Sequence, residues 1–255
     1  MEKMPVLFVG HGSPMNAIED NAFTRNWIKI AREIPKPAAI LSISAHWYTS
    51  GTRIMDEANP KVIYDMYGFP PALYKVVYSP AGAPEMARLA KNLITKETVF
   101  DNTWGFDHGT WSVLVHMYPQ KDIPVFQISV DGLSPAGVHF EIGRNLRLLR
   151  EKGVLILGSG NVAHNLRLID WSMKGGYEWA YEFDNYVKDN ILKNEFKNVV
   201  DYQKAGDSTK LAVPTPDHFY PLLYILGSAE ESDQIKIYND ECVMGSLSMT
   251  SYLFI

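Results

Sequence analysis

The feature that most constrains this chain is the stretch Val6-Leu7-Phe8-Val9-Gly10-His11-Gly12-Ser13-Pro14. Four consecutive apolar residues running into a glycine-flanked histidine read as a buried strand whose carboxyl end delivers an imidazole to a cavity. Glycine on each side lets the backbone turn sharply and approach closely whatever the imidazole holds. The same pattern returns at Ile40-Leu41-Ser42-Ile43-Ser44-Ala45-His46-Trp47. It returns again where Val154-Leu155-Ile156-Leu157 finishes in Gly158-Ser159-Gly160-Asn161-Val162-Ala163-His164. The first two of these strand-end histidines, His11 and His46, suggest one metal site.

Between these strands the apolar period changes from strand to helix. Asp20 or Asn21 is placed to cap a helix over about 22–34, with Phe23, Trp27, Ile30, Ala31 and Ile34 on one face and Pro35 and Pro37 to stop it. Pro84 opens a second helix at a first helical position, and Ser134-Pro135 reads as a cap followed by proline for a helix to about Arg150, closed by Gly153. Further helices are expected over about 110–118 and 178–195, and a short apolar one after His218. Strands are expected at 38–44 and 124–130, with Ile235–Tyr238 and Leu247–Ile255 as closing strands, antiparallel at the sheet edge. The alternation predicts an α/β fold of one domain spanning residues 1–255, its central, mainly parallel sheet flanked by helices and its ligands at the carboxyl ends of the strands. The segment from 46 to 82, rich in Tyr, Pro and Gly and without periodicity, reads as a binding loop.

Charge and cysteine use narrow the function classes. A net charge of -5 gives no basic footprint for a phosphate backbone, so nucleic acid is not an expected partner. No run of eighteen apolar residues and no charged-then-apolar leader is present, so neither a membrane nor an export role is expected, and the expected location is the cytoplasm. The lone Cys242 cannot form an internal disulfide and rules out a structural cysteine zinc knuckle. Gly158-Ser159-Gly160-Asn161 lacks both the full dinucleotide fingerprint and the phosphate-loop lysine, and neither Ser13 nor Ser159 lies in a nucleophile elbow. His116 and His139 sit within helical patterns and read as structural. The other five histidines occupy glycine- or proline-punctuated junctions, where functional side chains concentrate. Imidazole suits zinc, iron, copper and nickel, and the pattern alone does not choose among them.

Five motifs, taken together and in order, give the chain a family likeness. Gly10-His11-Gly12-Ser13-Pro14, Ser44-Ala45-His46-Trp47, Asp107-His108-Gly109-Thr110-Trp111, Gly158 to Leu166 and Pro216-Asp217-His218 resemble the class III extradiol ring-cleavage dioxygenases in their DOPA 4,5-dioxygenase branch. That resemblance implies a non-haem iron(II) site, with zinc(II) as another ion found there, a catechol substrate and dioxygen. It implies His11, His46 and His218 as metal ligands, with Asp217 and Glu19 the carboxylates to inspect because the wider superfamily uses a carboxylate as its third ligand. It implies His164 as the acid/base histidine and His108 as a histidine that contacts substrate and oxygen. Three protein ligands leave open positions for a diol and dioxygen. Arg53 or Ser13 is offered as the partner of a substrate carboxylate. Two other readings share some of these features: a small tetrapyrrole metal chelatase, which also opens with His-Gly-Ser after an apolar strand, and a relative that binds metal or an aromatic ligand without turnover.

Overall fold

A computed structural model describes residues 3–255. In chain order the elements are β1 (Val6–Gly10), α1 (Ala22–Glu33), β2 (Ala39–Thr49), β3 (Thr52–Ile54), α2 (Pro84–Leu93), β4 (Thr98–Phe100), α3 (His108–Met117), β5 (Val125–Asp131), α4 (Ala136–Leu146), β6 (Val154–Gly160), α5 (Glu178–Leu192), α6 (Phe196–Val200), α7 (Ser208–Ala212), α8 (Tyr220–Ser228), β7 (Ile235–Tyr238), β8 (Cys242–Val243), β9 (Leu247–Ser248) and β10 (Ser251–Phe254). Eight strands form one mixed sheet in the order β4-β3-β5-β2-β6-β1-β10-β7. Its centre, β5-β2-β6-β1, is parallel, as the alternation of strands and helices requires.

Both faces of that centre are covered, which is why the strands read as unbroken apolar runs. Val6, Phe8, Leu41, Ile43 and Ile156 face a core built with α4, α5 and α8. Leu7, Val9, Ile40, Leu155 and Leu157 face the opposite core, with Trp27 of α1 and Trp111 of α3. Among the described residues no helix is long and apolar enough to cross a membrane.

Several local expectations change in detail. Asn21, not Asp20, caps α1, in a reciprocal pair with Thr24. Asp20 is instead drawn to Arg25 on the surface. Pro135 rather than Ser134 takes the cap position of α4, because the Ser134 hydroxyl donates to Asp131 Oδ2 at 2.7 Å. The last segment is not one edge strand. It breaks into β9 and β10, and β10 lies inside the sheet, antiparallel to both β1 and the edge strand β7. A side-chain period of two is the same for parallel and antiparallel pairing, so the sequence pattern carries no sign of this.

One buried ion pair ties the two ends of the chain together. Arg150, only 1% exposed, donates from Nε to the Met4 carbonyl and from its two terminal nitrogens to Asp233, at 2.6 and 2.9 Å. Burial alone would raise the Asp233 carboxyl, but the bidentate guanidinium holds it below its usual range. Arg150→Met, which leaves that carboxylate buried without its main partner, is expected to cost about 3–5 kcal/mol. The urea midpoint measures it; an unchanged midpoint would remove the pair from the list of structural ties.

Candidate metal centre

Strand register brings the first two histidines to one place. Val9 of β1 and Ser44 of β2 both lie level with Ser159 of β6. His11 and His46 each follow two residues later, so both project from the same face of the sheet, the one covered by α3. His46 does not sit beyond its strand: β2 continues to Thr49 through an irregular register between Ile43 and Tyr48, and His46 lies inside that stretch.

The third histidine arrives on the segment before α8. A Cβ on Gly160 would stand 2.1 Å from the His218 carbonyl, so only glycine at the end of β6 lets that segment pass this close. Asn161 N–H then donates to the same carbonyl at 2.9 Å. The candidate ligand atoms of His11, His46 and His218 all lie within 4.8 Å of one another. Asp217 groups with His164 and His218 rather than with His11 and His46, while Glu19 is exposed and its carboxylate accepts from Asn21.

Hydrogen bonds on the far side of each ring decide what faces the centre. Ser159 Oγ donates its one proton to the Gly109 carbonyl at 2.6 Å, so at 3.0 Å it accepts from His11 Nδ1–H. Asp65 Oδ2 lies 3.2 Å from His46 Nδ1, and Asp217 Oδ2 accepts from His218 Nδ1. Ser159 sets the proton of His11 on Nδ1, and the Asp65 carboxylate beside His46 Nδ1 favours the same tautomer there, which turns the two Nε2 lone pairs toward each other at 3.2 Å. Two facing lone pairs repel unless a cation lies between them, and 3.2 Å is the spacing of nitrogens each about 2.0–2.1 Å from one ion. The donor set therefore fits a divalent metal. Burial lowers the pKa of both rings, and the neighbouring imidazoles lower it further, so both are neutral bases at neutral pH.

The remaining two histidines border the group from opposite sides. His164 is stacked flat on His218, with centroids 3.5 Å apart and planes 5° apart, and its backbone N–H is held by Ala212. His108 lies 3.8 Å from the His46 ring, measured between centroids. It is the first residue of α3, whose N-cap Asp107 is fixed by Ser44 Oγ at 2.6 Å and by Trp104 Nε1 at 2.9 Å. Burial pushes the Asp107 carboxyl up to about 6. Thr110, Ser42 and Gln127 continue this polar contact between α3 and the sheet. The serines in the apolar run of β2 thus serve to seat the helix that carries His108.

The sequence reading missed Asp65, which accepts from His108 Nδ1 and the His108 backbone N–H and stands 3.2 Å from His46 Nδ1. It lies in the aperiodic loop, where no spacing rule could single it out. A carboxylate that accepts two donors and faces a third ring nitrogen tolerates no amide in its place. Asp65→Asn is expected to weaken metal binding about 10–100-fold, as losses of outer hydrogen-bond partners do. Competition with a chelating dye measures this, and an unchanged affinity would dismiss the orienting role.

The histidines floor a cavity of about 390 Å³. Met66, Tyr67 and Phe69 of the long loop line it, whereas Tyr48, Tyr64 and Tyr74 do not. Ser13 lines it too, its hydroxyl accepting from the Met15 N–H, while Arg53 is paired with Asp101 away from the cavity. Ser159, having its hydroxyl committed as above, is no nucleophile. His116 bonds the Asn16 carbonyl and His139 the Tyr224 hydroxyl, so both stand apart from the centre as expected.

Residues 5–255 match the family model described as the catalytic LigB subunit of aromatic ring-opening dioxygenase. The chain is 45% identical to a protein of Escherichia coli K12 named 4,5-DOPA dioxygenase extradiol, over 98% of this chain and 94% of that one. A protein of the same name from Beta vulgaris is 36% identical, over 97% and 95% of the two chains. Among solved structures, that of an uncharacterized Escherichia coli K12 protein superposes with a TM-score of 0.86 at 41% identity, covering 98% of this chain and 99% of that one.

Proposed function

The chain belongs to the LigB family of aromatic ring-opening dioxygenases, and from that premise we propose that His11, His46 and His218 hold an iron(II) ion at which a DOPA-like catechol is opened. The enzyme is an extradiol dioxygenase: the ring bond beside the diol breaks and both atoms of dioxygen enter the product. The observation that carries the ligand assignment is the pair of Nε2 lone pairs facing across 3.2 Å, with His218 in the same group. When bound, iron(II) supplies a Lewis acid and a path for electrons between diol and dioxygen. Zinc(II) suits the same nitrogen donors but carries no redox chemistry, so iron is the working ion in this reading.

The chain's own residues bind the ring and move protons. The cavity above the imidazoles takes the aromatic ring and its substituent. His164, a neutral base because burial and the neighbouring His218 lower its pKa, receives a proton from a catechol hydroxyl and returns it to the opening ring. His108 donates its Nδ1 proton to Asp65, which leaves Nε2 free to accept from substrate. The lone buried thiol and the lack of any long apolar helix among the described residues fit an enzyme of the cytoplasm. The family match selects ring opening over insertion of metal into a tetrapyrrole.

The test is to load the protein anaerobically with iron(II), then add a catechol and air. Stoichiometric oxygen uptake with a yellow ring-opened product is expected. No oxygen uptake with any catechol, while porphyrin metallation proceeds, would refute the assignment.

A further inference from the structure

A buried carboxylate away from the cavity is tied to the backbone on which His164 rests. Asp184 sits midway along α5 and is only 2% exposed. A carboxylate out of reach of water needs donors of its own, and Asp184 has two. Ser248 Oγ donates to Oδ1 at 2.5 Å, and Thr250 Oγ1 donates to Oδ2 at 2.9 Å. Burial pushes the Asp184 carboxyl up to about 6, so above that pH it is ionised and accepts from both hydroxyls at once. Ser248 and Thr250 stand two residues apart, the strand spacing that turns both side chains to one face. Leu247, between them and the cavity, lines that cavity together with His164.

The backbone of this clamped stretch in turn carries the His164 segment. Ser248 N–H donates to the Ala163 carbonyl at 2.9 Å, and Asn161 Nδ2 donates to the Ser248 carbonyl at 2.7 Å. Leu247 pairs with His164 as an antiparallel bridge, and Asn165 N–H donates to the Ser246 carbonyl at 3.3 Å. Asn161, Ala163, Ser246, Ser248 and Thr250 are all fully buried, so no water replaces a bond that shifts. The metal side is secured separately: Ser251 Oγ, which does not meet Asp184, accepts from the Gly10 N–H beside His11 at 3.2 Å. Among the described residues Asp184 belongs neither to a group that could hold a metal nor to the cavity lining.

Building on the reading of His164 as the residue that moves the catechol proton, we propose that Asp184 is its positioning residue. Through Ser248 and Thr250 it fixes β9, and β9 fixes the His164 ring at the cavity. Loosening that clamp displaces a proton-transfer group without removing it, which slows the chemical step and leaves the ion and the bound ring in place.

Asp184→Asn keeps the shape but puts a nitrogen donor where one oxygen accepted a hydroxyl. At pH 8, kcat of the iron(II)-loaded enzyme is expected to fall about tenfold, with KM and iron content within about twofold of the unaltered protein. In a His164→Ala background the same substitution should change kcat less than about twofold, because no ring is left to misplace. Ser248→Ala, which removes one hydroxyl and keeps the backbone bonds, is the second variant should Asp184→Asn fail to fold, and is expected to lower kcat about threefold with the same pattern. A readout without turnover is the spectrum of 4-nitrocatechol on the zinc(II)-loaded protein, whose colour follows loss of its hydroxyl protons. It should move toward the protonated form in both variants, in the direction that His164→Ala moves it. An equal loss of kcat with and without the His164 ring would overturn the proposal. So would loss of the metal, or a lowered Tm with kcat and the 4-nitrocatechol spectrum unchanged. If the spectra move as expected but the iron(II)-loaded enzyme consumes no oxygen with any catechol, the ring-opening reading fails and the positioning of His164 by Asp184 stands.

Discussion

His46→Ala is expected to leave a folded protein that no longer retains a metal ion through desalting. Its imidazole is one of three in the central group and, with His11, supplies the pair of facing lone pairs. Removing it takes away both a donor and the reason for a cation to sit there. The loss should exceed the roughly 10–100-fold cost of an outer hydrogen-bond partner, because a direct ligand is gone. Stability should change little, since the ring is only half-buried and its removal frees Asp65 to keep its two bonds to His108. His139→Ala supplies the contrast: that ring is fully buried, bonds Tyr224 and the Ser134 carbonyl, and lies outside the metal group, so its loss should lower stability and leave metal content intact. Elemental analysis after loading and desalting reads both outcomes. Full occupancy in His46→Ala would remove it from the ligand set.

The contrast between His46 and His139 is already written in the sequence, one at the end of an apolar strand run and the other inside a helical pattern. Buried parallel strands carry their own signature, because burial on both faces forces the apolar runs of β1 and β6. The glycines after those runs mark where backbone must pass close to backbone, as Gly160 does under the His218 carbonyl. Those two signals locate His11 and His164, and the apolar run of β2 adds His46, at the carboxyl end of the central strands. They say nothing of Asp65, whose importance arises only when its loop folds back over α3 and β2. Nor do they reveal that Ser44 and Ser159, which read as small members of strands, orient α3 and the His11 ring. A hydroxyl in a strand looks the same whether it meets a helix N-cap or another strand. Arg53 failed as a carboxylate partner for the same reason: charge is visible in sequence, but Asp101, the residue that claims it, is 48 positions away.

His164→Ala should separate binding from chemistry. The ring stacks on His218 at 3.5 Å without belonging to the His11, His46 and His218 group, so its removal should spare the ion, whose content is expected to stay near that of the unaltered protein. Catechol affinity should also hold within about twofold, because the other imidazoles and Met66, Tyr67 and Phe69 still line the cavity. What disappears is the neutral base facing the cavity. General acid and base catalysis by one positioned side chain contributes about 10²–10⁴-fold, and kcat is expected to fall by that factor. His164→Gln sharpens the result: the amide restores bulk and hydrogen bonding over His218 but exchanges no proton at neutral pH, so it should be as slow as the alanine variant. A purely structural role for the ring predicts the opposite, with Gln restoring turnover. Iron content, Kd for a catechol and kcat, measured on all three proteins, distinguish the two. Unchanged kcat in His164→Ala, or recovery by Gln, would take proton transfer away from this residue.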